Sequence, residues 1–212
     1  MAIKSDREYR DMTVEIRTAE TTEAPDDRMT VTGYASTFNE PYTLYEGDDW
    51  RLDEVVDSKA FDNTDMSDVI LQYNHEGRVF ARMSNNTLRV LPDEKGLLIE
   101  ADLGGTAIGR ELYDEIRGGY TNKMSFGFTV DGEMESKEMV DGFTIYTRTI
   151  TSVRKLYDVS AVSIPANDAT SISVRNLTDG VIEKIQAERL EAEALELRRR
   201  KLLVRAKLNG GQ

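Results

Sequence analysis

GGYTNKMSFGFTV, Gly118–Val130, is the stretch whose reading decides both fold and chemistry. At period two, Met124, Phe126, Phe128 and Val130 project to one side, and Ser125, Gly127 and Thr129 to the other. A strand patterned in this way buries its large apolar side chains in a core. Its small polar face is expected to stay open to an approaching molecule. A serine on that face becomes a nucleophile once a base reaches it. The chain holds one histidine, His75, in LQYNHEGRVFAR. Whether Ser125 and His75 meet is the functional question the sequence poses.

Composition limits the answers. The 212 residues suit one domain of moderate size with an appendage. A net charge of −12 argues against a nucleic-acid backbone or an anionic membrane as partner, since either wants a basic face. With no cysteine there is no disulfide and no thiolate zinc site, which fits a reducing cytoplasm. One histidine without cysteine is a poor zinc ligand set, so neither metal nor cofactor is expected. The start, MAIKSDREYR, lacks an apolar signal-peptide core, and no run reaches the length of a membrane span. A soluble intracellular protein is expected.

In chain order, Arg10–Thr18 reads as a strand through Met12, Val14 and Ile16, and Arg28–Phe38 as a second that pairs with it as a hairpin. Trp50–Val56 is a further strand, and Asp57 or Ser58 caps a short helix through Ala60 and Phe61. Val69–His75 reads as a buried strand with Val69, Leu71, Tyr73 and His75 on one face. Val79–Ala81, Thr87–Leu91 and Leu97–Leu103 follow as strands, with a PDEKG turn before the last. Thr106 caps a helix to about Arg117 that turns Ile108, Leu112, Tyr113 and Ile116 inward, and Gly118 stops it. After the Ser125 strand, GEMESKEMVDG lies between two Asp-Gly pairs and reads as an exposed hairpin tip. Phe143–Val153 and Lys155–Ile164 are strands, and PANDAT is a turn.

From Asp179 the composition changes to strong helix formers. Ala187, Leu190, Ala194, Leu197, Lys201, Val204 and Leu208 keep 3-4 spacing, a thin seam suited to a partner helix. The expected division is a strand-rich α+β domain over residues 1–176 and an amphipathic, coiled-coil-like helix over 177–212.

Several nucleophile signatures are absent around Ser125. Lys123 stands where a GxSxG elbow needs glycine, and Phe128 where an SxxK motif needs lysine. No pair of acids stands out as that of a glycosidase. Asp158 is notable because LYDVSAVSI is otherwise apolar, and a lone buried carboxylate is costly. A buried acid wanting a partner complements a histidine wanting an orienting group. The plainer readings are that Asp158 pairs with Arg154 or Lys155, or faces water.

The succession NHEGRVFAR, DEKGLLIEADL, TAIGRELYDEIRGGYTNKMSFGF and LYDVSAVSIPAND resembles the prohead proteases of tailed bacteriophages over roughly Val31–Ser173. That resemblance implies a compact β-barrel similar to herpesvirus assemblin, flanked by helices. It makes His75 of the NH motif the base, Ser125 of the S-hydrophobe-GF motif the nucleophile, and Asp158 the third member. Many relatives carry glutamate at the last position. By the same likeness, backbone amides at Ala166 and Asn167 are the oxyanion donors. The implied activity is serine endopeptidase action in capsid maturation, on the scaffolding segment of capsid protein and on the chain itself. The implied place is the host cytoplasm, inside the assembling prohead, with homodimers or helix-mediated assembly as further contacts. The rival reading is a non-enzymatic shell or scaffold component with the same barrel.

Overall fold

The computed structural model describes residues 7–18, 29–163 and 172–209. In chain order the strands are β1 (Glu8–Glu15), β2 (Arg17–Thr18), β3 (Thr30–Thr37), β4 (Tyr42–Glu46), β5 (Trp50–Val56), β6 (Ile70–Tyr73), β7 (Glu76–Arg82), β8 (Leu88–Pro92) and β9 (Gly96–Asp102). Helix α1 (Ala107–Arg117), the long strands β10 (Lys123–Val140) and β11 (Phe143–Val162), and helix α2 (Ile172–Asn209) complete them.

The β10–β11 hairpin is the spine. Its turn is Asp141–Gly142, both with positive φ (52° and 87°), closed by the Val140–Phe143 pair. The expected exposed tip is therefore itself ladder. Glu133–Val140 pairs with Phe143–Ile150, because charged side chains facing water do not oppose backbone pairing, and only the second Asp-Gly turns. The register shifts around Gly132, so the first Asp-Gly falls at an irregularity inside the strand. Nor does β11 break at Arg154, so the two expected strands are one.

β1 pairs antiparallel with the free side of β10, while β5 and β6 run parallel to the two halves of β11. β4 flanks β5, and β7 flanks β6. A second sheet has the order β2-β3-β9-β8. Among the described residues the expected N-terminal hairpin is thus reduced to Arg17–Thr18 against Val31–Thr32, because Glu8–Met12 is taken by β10. Near Asp57 the chain makes successive turns over Ser58–Asn63 rather than a helix.

Neither sheet closes on itself among the described residues, so the pairing gives two open sheets where the resemblance implies a closed barrel. Their facing sides share one core: Phe126, Phe128, Leu156 and Val159 from the spine with Val31, Leu97 and Ile99 from the smaller sheet. Thr106 caps α1 by accepting from the Gly109 amide at 3.0 Å, and Leu112 and Ile116 are buried. Gly118 ends the helix in right-handed backbone, and the left-handed residue is Gly119 (φ 74°).

The chain divides into two units, Met1–Val174 and Arg175–Gln212. In α2, Leu190 and Leu197 of the seam are exposed, as are Leu195, Leu202 and Leu203 beside it, so the exposed apolar surface is broader than a single 3-4 line. Among the described residues no helix is long and apolar enough to cross a membrane.

Candidate active site

Register assembles the site. Antiparallel pairing sets Ser125 opposite Ser160 and Gly127 opposite Asp158, and opposed residues project from the same face. β6 adds the third element, running beside β11 with Tyr73 against Ala161. Directly after Tyr73 the chain reverses through Asn74 and His75, both left-handed (φ 50° and 59°), and Tyr73 pairs with Glu76. This is a two-residue hairpin turn of the kind that needs positive φ at both central positions. Asparagine and histidine are among the non-glycine residues that tolerate it best. His75 therefore sits in a turn and not on the strand face expected for it. The Asn74 amide donates to the Ala161 carbonyl at 3.0 Å, and Asn74 Oδ1 accepts from the Ser163 amide at 3.3 Å. Both bonds tie the turn to β11.

His75 reaches both partners from there. Nε2 is 2.5 Å from Ser125 Oγ, and Nδ1 is 2.5 Å from Asp158 Oδ1. Ser160 Oγ donates to the same carboxylate oxygen at 3.0 Å and lies 3.2 Å from Nδ1. The other oxygen, Oδ2, is paired with the guanidinium of Arg7. Tyr9 lies against the imidazole with ring centroids 4.4 Å apart, and burial raises its phenol pKa, so the ring is neutral.

Gly127 makes room for this. A methyl there would collide with Asp158 Oδ2 and stand 2.8 Å from the Tyr9 ring. The polar face is not open to solvent: Ser125, Asp158 and Ser160 have no exposed surface, and the His75 side chain keeps 14% of its own.

The Ser125 hydroxyl has one proton and two acceptors, Nε2 of His75 and the Arg10 carbonyl at 2.9 Å. With the imidazole proton on Nδ1, held by Asp158, Nε2 is bare and takes the serine hydrogen bond, which is the arrangement that activates a nucleophile. A protonated ring donates from Nε2 instead, and the hydroxyl turns to Arg10.

Beneath the same strands, on the opposite face, lies a buried ion cluster. Arg10 forks onto Glu54 at 2.5 and 2.9 Å, and Arg148 binds Glu54 at 2.6 Å and Glu8 at 2.8 Å. Burial works to raise the Glu54 pKa, but Arg10 and Arg148 outweigh it and hold the carboxyl below its usual range. The cluster clamps β1 to the spine and so fixes where Arg7 and Tyr9 stand.

Of the expected site residues, His75, Ser125 and Asp158 come together; Ala166 and Asn167 lie outside the described residues. Among the described residues Asp158 pairs with Arg7 and His75 instead of Arg154 or Lys155, and Lys155 binds Asp65 at 2.7 Å. Ser160 was within reach of sequence reasoning, since period two from Asp158 puts it on the same face. Arg7 and Tyr9 were not, because a strand starting at Arg10 stops short of them.

A strand-rich protein whose histidine joins a buried serine to a buried aspartate has the side-chain arrangement of a serine hydrolase. Residues 13–183 match the family model of the caudovirus prohead serine protease, and the chain belongs to that family, the serine proteases of phage capsid maturation. No curated protein and no solved structure matches the chain.

Proposed function

We propose that the chain is the Ser-His-Asp endopeptidase of a prohead, acting on the scaffolding segment of capsid protein and on itself. The observation that carries this reading is the hydrogen-bonded series Ser125–His75–Asp158, with 2.5 Å at each link. Ser125 Oγ attacks the scissile carbonyl carbon while its proton passes to His75 Nε2. Asp158 holds the Nδ1 tautomer and stabilises the imidazolium. The ring then gives its proton to the leaving amine as the C–N bond breaks, which leaves an acyl-serine. Water, deprotonated by the same nitrogen, releases the acid and restores the hydroxyl. Ala166 and Asn167, just past the Asp158 strand, are the proposed source of backbone amides for the oxyanion.

Residues 1–176 form the catalytic domain in this reading. Residues 177–212 are the helix that docks on helical scaffold, raising effective concentration without tight active-site binding. The test is co-expression with the cognate capsid protein. Wild-type chain should shorten capsid protein within proheads and Ser125→Ala should leave it full length; equal processing by both would reject the proposal.

A further inference from the structure

We propose that Arg7 is a positioning residue of the site: its guanidinium holds the aspartate oxygen that His75 does not use and so fixes the carboxylate that aims the imidazole. This rests on the triad reading. It concerns a residue that precedes the stretch matched by the family model.

The geometry points there from three sides. Arg7 is paired with Asp158 Oδ2 while His75 takes Oδ1, so the guanidinium and the imidazole divide one carboxylate. A carboxylate held at both oxygens cannot swing about its Cβ–Cγ bond, and that bond aims the imidazole. The guanidinium is itself held, 4.2 Å from the Tyr157 ring centroid and 5.3 Å from that of Tyr9. Tyr9 in turn packs on His75. Arg7 thus meets the aspartate and lies over the Tyr9 ring that packs on His75, and it comes from the lead into β1, which the Arg10–Glu54–Arg148 cluster anchors.

The electrostatic consequence has a definite sign. Arg7 and Tyr9 stand against the pair from the β1 side, and Arg10 belongs to the opposite face. Arg7 brings a positive charge to Asp158. A positive charge beside Asp158 offsets part of the field that favours an imidazolium. Removing it makes the pair bind its proton more tightly, whichever member carries that proton.

The test exploits the single histidine, which gives one unambiguous imidazole signal in NMR. In full-length Ser125→Ala protein, Arg7→Met should move the midpoint of the His75 titration upward. Arg7→Lys should restore it, keeping the charge while losing the planar guanidinium. Arg7→Gln is read in the same way if the Met variant does not fold. With Ser125 present, the acid limb of the activity profile should move by the same amount, whereas a purely structural loss would lower the whole profile in place. An unmoved midpoint in the neutral variants, or failure of Lys to restore it, overturns the inference. Failure of the triad reading looks different: the His75 signal would then ignore Asp158→Asn.

Discussion

Gly127→Ala is a one-carbon test of how the aspartate is held. The added Cβ would overlap Asp158 Oδ2 and lie 2.8 Å from a Tyr9 ring carbon, and neither neighbour can yield cheaply. Asp158 is short, fully buried and on a spine strand, and Tyr9 is pinned between Gly127 and His75. Ordinary carbon contact begins near 3.5 Å, so the carboxylate must retreat by about 1 Å. That movement takes Oδ1 out of its bond to His75 Nδ1 and Oδ2 off Arg7. Overpacking of this kind costs about 1–3 kcal/mol of stability. Displacing a catalytic group by about 1 Å costs roughly 100-fold in rate. The variant should therefore fold, melt several degrees lower, and react with a fluorophosphonate at Ser125 about two orders of magnitude more slowly than wild type. Gly132→Ala is the control. Its Cβ would meet the Thr151 hydroxyl at 2.9 Å, far along the strand from the site, so it should perturb stability without slowing labelling. Wild-type labelling by Gly127→Ala would refute the claim that the carboxylate must sit where it does.

Asp158→Asn should fold and lose roughly 10³–10⁴-fold in turnover, less than Ser125→Ala loses, as read from processing time courses. Glu54→Gln should cost about 3 kcal/mol in denaturant melts, because it leaves two buried guanidiniums short of their carboxylate. The same site fixes a pH dependence. A carboxyl held low in the folded state stabilises fully above its unfolded value of about 4.3 and loses that stabilisation as pH falls through the lower folded value. The gap between wild type and Glu54→Gln should therefore be flat above pH ~5 and narrow below pH ~4. Ending the chain near Asn176, or placing Leu190→Glu with Leu197→Glu in the exposed surface of α2, should spare peptide cleavage and sharply reduce incorporation into proheads. Unfolding of the shortened chain would show that the helix belongs to the domain.

Local pattern carried much of the architecture. Strict alternation announced β9 and the Ser125 segment of β10, and the Thr106 cap announced α1, because each depends on neighbours in sequence. Partner choice did not show. Nothing local in Glu8–Met12 says that it pairs with β10 across more than a hundred residues, so the N-terminal hairpin was the natural but mistaken pairing for most of β1. The charged run to Val140 looked like loop because its side chains carry no buried face, yet backbone pairing alone extends the hairpin. The site was legible in its three central residues, two of them through family motifs and Asp158 also through the oddity of an acid in an apolar strand. Arg7, Tyr9 and the Arg10–Glu54–Arg148 cluster were not, since a pairing of charges distant in sequence leaves no periodic trace.

The most direct test is the position of a single covalent adduct. Treated with a fluorophosphonate and digested for mass spectrometry, the wild-type chain should carry one label, on Ser125, and His75→Ala should carry almost none. A label on another serine, no label at all, or labelling of Ser125 that is indifferent to loss of His75 would contradict the assignment of Ser125 as the nucleophile activated by His75.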